Sequence, residues 1–171
     1  MNTEQQKETN RIIVCGVLGI ITMVYLALIG CVNVQHFNYK MNSDIGAEAV
    51  LARLIWNSGE MVPSTWISST ETRIIATPQL AALFYGWTGD MNLGLGLACC
   101  VMTTGILLAI WCFMKKAGFR TESCLLMCVL SLALSGNMTI LELLYLFASY
   151  YGIHVITFFF IMNCYVMLIC W

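Results

Sequence analysis

The sequence predicts an all-α polytopic membrane protein with about four transmembrane helices. Two observations carry that expectation. Of the 171 residues, 60% are hydrophobic and only 10% charged, and the mean hydropathy is +0.81. Soluble domains carry about 25% charged residues. The few charges are also unevenly spread. Ile12–Val34, Met91–Met114, Ser123–Leu141 and Leu143–Trp171 run for 23, 24, 19 and 29 residues without Asp, Glu, Lys or Arg. About 20 apolar residues cross the hydrocarbon as a helix. Backbone groups in lipid must bond among themselves, which makes each run a helix. No ten-residue segment alternates with period two, so a β-barrel is not expected.

The elements follow in chain order within a single membrane domain, residues 1–171. A polar head, Asn2–Asn10, precedes the first run. The run is too long for the apolar region of a signal peptide and is expected to remain as the first span, residues 12–34. The next spans are expected at about 91–114, 123–141 and 152–171. Lys7 and Arg11 precede the first span, and Lys115, Lys116 and Arg120 follow the second. The positive-inside rule puts these segments in the cytoplasm. The expectation is a multi-pass cell-membrane protein with a cytoplasmic N-terminus and one long outer loop, residues 35–90.

Two short juxtamembrane helices are expected in that loop. Residues 44–56 can be capped by Ser43 or Asp44, with Ile45, Ala49, Ala52 and Trp56 on one face and Asp44 and Glu48 near another. Ile74–Trp87 is uncharged and mostly apolar, but 14 residues reach only about 21 Å as helix, and Pro78 falls in its first turns. It is expected at the interface rather than across the bilayer. The third span has two readings. Ser135-Gly136-Asn137 either interrupts it, leaving Leu141–Tyr151 at the outer interface with Glu142 toward water or a cleft, or the helix continues through.

Several classes drop out. The net charge is -1 and no basic patch points to nucleic acid; the expected surroundings are membrane lipids. All nine cysteines fall in apolar runs without Cys-x-x-Cys or Cys/His clusters, so they read as small apolar side chains. The spans carry almost no charge and no paired broken helices, which disfavours a channel or transporter.

Candidate chemistry lies in the outer loop. Asp44 and Glu48 are four apart, so a helix brings both carboxylates to one side. Such a pair can hold a divalent cation or act as general base. Arg73, just ahead of an apolar helix, can grip a phosphate bidentately or anchor at the interface by snorkelling. Glu71 lies two residues before it. His154 opens the last run, either as a functional ionisable group or as a neutral interfacial histidine. Trp56, Trp66, Trp87, Tyr150 and Tyr151 read as an aromatic belt.

The loop start Asn42-Ser43-Asp44-Ile45-Gly46-Ala47-Glu48, the stretch Ser69-Thr70-Glu71-Thr72-Arg73, the short apolar helix and the span ending in lysines together resemble the N-terminal part of bacterial GT-C-type membrane glycosyltransferases. That superfamily includes protein O-mannosyltransferases, oligosaccharyltransferases and the lipid A aminoarabinose transferase. The pattern is most similar to a subgroup with Asp-Ser-Asp-x-Ala-x-Glu, Ser-Thr-Glu-x-Arg and a later Tyr-x-Pro-His. The resemblance extends from about residue 12 to the chain end. Asn42 departs where the subgroup often has Asp, and Gly152-Ile153-His154 departs from the proline-containing form.

The resemblance implies that Asp44 serves as base or metal ligand with Glu48 beside it. It implies that Arg73, with Glu71 and His154, helps bind a polyprenyl-phosphate sugar donor at the outer face. GT-C enzymes have at least seven spans, whereas this sequence ends at Trp171 on an apolar run. The expectation is therefore the N-terminal portion of a larger transferase. The rival expectation is a small non-enzymatic tetraspan protein: a scaffold, a subunit or a degenerate remnant.

Overall fold

The computed structural model describes residues 3–35, 43–67, 76–133 and 148–169. Among them are six helices and no strands: α1 (Thr3–Gln35), α2 (Ser43–Ser58), α3 (Thr77–Thr88), α4 (Met91–Lys116), α5 (Thr121–Ala133) and α6 (Ala148–Ile169). The described chain is all-helical. Two of the helices, α1 and α4, are long and apolar enough to cross a membrane. At 1.5 Å per residue, the 26 residues of α4 extend about 39 Å.

The helix ends follow local chemistry. Asp90 caps α4: its carboxylate accepts from the backbone N–H of Asn92 at 2.8 Å and of Leu93 at 3.3 Å. Pro78 occupies the first turn of α3, where its missing N–H costs nothing. Gln79 then reaches back to accept from the Ala76 N–H at 2.8 Å. Gly89 closes the helix in the left-handed region, at φ 70°, and its N–H donates to the Tyr85 carbonyl. The α1 helix begins at Thr3, so the polar head is helical and continuous with the apolar run. The Ser135-Gly136-Asn137 interruption and Glu142 lie outside the described residues.

Helix α4 is the centre of the bundle, packing against α1, α2, α3, α5 and α6. Contacts along its length fix the directions. Gly96 of α4 meets Asn33 near the end of α1. Ile29 of α1 shares a cluster with Leu107 of α4 and with Cys128 and Leu132 of α5. Arg11, early in α1, pairs with Glu122 at the start of α5. So α1 runs against α4 and alongside α5. On the other side of α4, Gly152 lies against Met102 and Ile106, Ile156 against Gly105, and the rings of Phe113 and Phe159 are 5.6 Å apart. Helix α6 therefore runs the same way as α4.

The bundle has two distinct ends. One holds the start of α1, the α4–α5 hairpin and the end of α6. The other holds the end of α1, the start of α4 and the two short helices α2 and α3. The second core cluster joins Ile45, Ala52 and Ile55 of α2, Ala81 and Ala82 of α3, and Leu95, Ala98, Cys99 and Met102 of α4.

Large apolar side chains are exposed along the long helices, among them Ile20 and Met23 of α1, Leu108 of α4, Leu130 of α5 and Phe160 and Leu168 of α6. These outward faces have no partner among the described residues. Water would penalise such surface at about 25 cal/mol per Å².

Candidate functional site

The candidate site lies at the α2–α3 end. Helix α2 buries Ile45, Glu48, Ala52 and Ile55, spaced three, four and three. That is one helical stripe, and it corrects the face expected from sequence. Trp56 is exposed rather than in the core, and Glu48 belongs to the buried face rather than a separate acidic one. Choosing only apolar residues for the stripe moved two of its members by one position, because the second member of the real stripe is a carboxylate.

Glu48 is 8% exposed, sits between Ile45 and Ala52 on the stripe, and is an electrostatic neighbour of Cys99 on α4. Asp44, one turn earlier, is exposed, with the Ser43 hydroxyl 3.5 Å from Oδ1. The two carboxylates are thus on one helix but in different surroundings. An exposed carboxylate can exchange protons with water or an incoming ligand. A buried one needs polar partners to offset its lost hydration.

His154 is exposed on α6, while its neighbour Ile153 packs against the core cluster that contains Ile45 and Ala52. It therefore belongs to the same end of the bundle as α2. Glu71 and Arg73 lie outside the described residues. Among the described residues, no three His, Cys, Asp or Glu side chains gather closely enough to hold a metal ion. A cation at α2 would rely on Asp44 and Glu48 with other oxygen ligands.

The rest of the site is aromatic and polar. Trp56 stands edge-on to Tyr85 at 6.5 Å, and Phe84 edge-on to Trp87 at 5.8 Å. Trp87 is 82% exposed, as an interfacial ring would be. Glu60, expected as a solvated loop charge, is exposed and organises its own turn, with Oε2 accepting from the Ser64 N–H at 3.2 Å.

Sequence reasoning missed four residues. Gln79 is buried, and besides its bond to Ala76 it donates to the Met61 carbonyl at 3.2 Å, tying the loop to α3. Asn33 is completely buried where α1 crosses α4. Asn163 is buried in α6 and donates to the Phe159 carbonyl at 2.8 Å. The signal for both asparagines was a lone amide inside an apolar run. Glu122 pairs with Arg11, whose hydrogen bond holds the carboxyl below its ordinary value, while the guanidinium is raised in turn. Nothing in their separation of 111 positions announced that pair.

No protein-family model, curated protein or solved structure matches this chain. What the site can do is therefore argued from its own residues.

Proposed function

We propose that the chain is a four-span membrane module, with α1, α4, α5 and α6 as the spans, whose outer end carries the carboxylate site of a glycosyltransferase using a polyprenyl-phosphate sugar. The observation that carries this reading is Glu48: an acidic side chain buried on a short helix laid over the end of an apolar bundle, one turn from an exposed Asp44. A lipid-linked donor would leave its tail among the exposed apolar helix faces and its sugar in water. Asp44 would take the proton from the attacking hydroxyl. Glu48 would orient the site from beneath, and Arg73 would balance charge on the departing phosphate.

The orientation follows from charge. Lys7, Arg11, Lys115, Lys116 and Arg120 share one end, which is cytoplasmic in this reading. Helices α2 and α3 are then outside. Single cysteines at Phe119 and Glu60, both exposed, should react with a membrane-impermeant maleimide from opposite sides. Reaction from the same side would overturn the topology.

The catalytic assignment is tested by transfer from a labelled polyprenyl-phosphate sugar in membranes carrying the protein. Asp44→Asn should lower transfer by about 10²- to 10⁴-fold, the usual weight of a general base, with expression unchanged. Full activity in that variant refutes the assignment. A second reading, a non-enzymatic tetraspan scaffold or subunit, is favoured by the large apolar side chains exposed along α1, α4, α5 and α6, a surface that helices of a partner membrane protein could cover. It expects no transfer from any lipid-linked sugar and association with a partner membrane protein instead.

A further inference from the structure

The geometry points to the α4–α5 hairpin as a docking surface for the headgroups of anionic phospholipids. This rests on the membrane-spanning reading above, but not on the sugar-transfer reading. The hairpin exposes Lys115, Lys116, Phe119 and Arg120 within six residues. Its backbone is held in one shape. The N–H groups of Ala117, Gly118 and Phe119 donate to the carbonyls of Phe113, Lys115 and Met114 at 2.9, 3.2 and 3.0 Å. Gly118 takes φ +83°, which a side chain would resist.

Among the described residues, the charges on this surface are only partly offset. Glu122, the one acid of the hairpin, is engaged by Arg11 from α1. Lys115 donates to the Thr121 hydroxyl at 3.4 Å, and Lys116 lies 3.2 Å from the Met167 thioether. Both contacts are to neutral atoms, so they place the ammonium groups without neutralising them. Lys7 shares the first turns of α1 with Glu4 and Glu8. Glu122 bonds to Arg11 and acts on Arg120 as well, so among the described residues Lys115 and Lys116 keep their full charge and Arg120 is only partly offset.

Phe119 decides between a soluble acidic partner and a bilayer. Its ring is 48% exposed at the tip of the hairpin, between Lys116 and Arg120. The apolar faces of α4, α5 and α6 end beside it. A ring placed there enters the acyl boundary while the neighbouring cations meet phosphodiesters at the same depth. Basic residues close to an anionic membrane surface each strengthen binding roughly fivefold.

The test reconstitutes the full chain in phosphatidylcholine vesicles, with and without one-fifth phosphatidylglycerol. Spin-labelled forms of the two lipids report which one occupies the protein surface. The expected result is a several-fold preference for phosphatidylglycerol that falls in about 0.5 M salt, where the Debye length shrinks to a few ångströms. The preference should be lost in a Lys115→Gln, Lys116→Gln, Arg120→Gln triple variant. Glu122→Gln, which leaves Arg11 uncompensated, should raise it. Soluble glycerophosphate at matched concentration should not compete.

Equal lipid selectivity in wild type and triple variant overturns the proposal, and so does displacement by glycerophosphate. Flotation of the protein with the vesicles after alkaline wash is the separate check on membrane insertion. Failure to float would remove the spanning reading and this proposal together, whereas flotation with unchanged selectivity removes this proposal alone.

Discussion

Replacing Gly96 with alanine should loosen the crossing of α1 and α4. A Cβ at this position would lie 2.3 Å from the Asn33 carbonyl oxygen, 3.0 Å from its carbonyl carbon and 3.3 Å from Val34 Cα. All three are backbone atoms, so no side-chain rotation can relieve the contact. Ordinary contact begins near 3.4 Å, so the helices would have to part by about 1 Å. Asn33 is also among the last residues of α1, whose carbonyls lack helical partners. Its approach to Gly96 suits a weak Cα–H···O contact, which separation would break. Overpacking of this kind costs about 1–3 kcal/mol, offset by up to about 1 kcal/mol from alanine's better helix propensity. Gly16, with no atom within 4 Å of its would-be Cβ, receives only the favourable term. Gly96→Ala should therefore be less stable than Gly16→Ala by about 1–3 kcal/mol. Reversible unfolding in mixed detergent, followed by circular dichroism, measures the difference. Equal stability of the two variants would refute the close-approach argument.

Asp90→Ala should cost about 1 kcal/mol in the same titration by removing the cap of α4, whereas Asp90→Asn should retain most of it; equal loss in both would point to charge rather than capping. The Arg11 hydrogen bond holds the Glu122 carboxyl below its ordinary value of 4.5, so its contribution is complete above that value and disappears as pH falls through the lowered one. Acid should thus weaken the α1–α5 contact in the wild type more than in Glu122→Gln, and parallel pH profiles would count against the pair. Cys99, Cys124 and Cys128 are buried and should resist a water-soluble maleimide until the protein is denatured; rapid native labelling, read by mass, would show that water reaches this core.

The helical class and the short helices were legible in the sequence because each rests on a local signal. Uncharged runs of sufficient length give α1 and α4. The uncharged stretch Ile74–Trp87 gives α3, though Ala76 caps it and it begins only at Thr77, with Pro78 in its first turn. The buried stripe of α2 was not legible, because hydrophobicity favours Trp56 over Glu48 for a core position and only the packing of α2 on α4 reverses the choice. The Arg11–Glu122 pair was illegible for a different reason. It depends on α1 and α5 running side by side, which no local feature of either helix specifies. Of the five candidate site residues, Asp44, Glu48 and His154 are described and belong to one end of the bundle. Their differing exposure depends on which face of each helix meets α4, a tertiary fact that residue spacing does not contain.

The distribution of close contacts bears on what the α2–α3 end is for. Gly86 lies under the ring of Trp56, Gly94 against the backbone of Ala81 and Tyr85, and Gly96 against Asn33. Through these contacts α2 meets α3, and α3 and α1 meet α4, with backbone or ring where a side chain would otherwise separate them. Gly16 and Gly19, on the half of α1 nearer the other end, have nothing comparable near them. The tight convergence is therefore local to the end that holds Asp44 and Glu48. In the membrane-spanning reading, lipid provides little force to drive helices together, and close approach of small residues is a means of fixing their geometry. Asp44 and Glu48 ride on α2, which joins this convergence through the Trp56 ring on Gly86, and a helix seated on closely packed neighbours holds its side chains with little reorganisation.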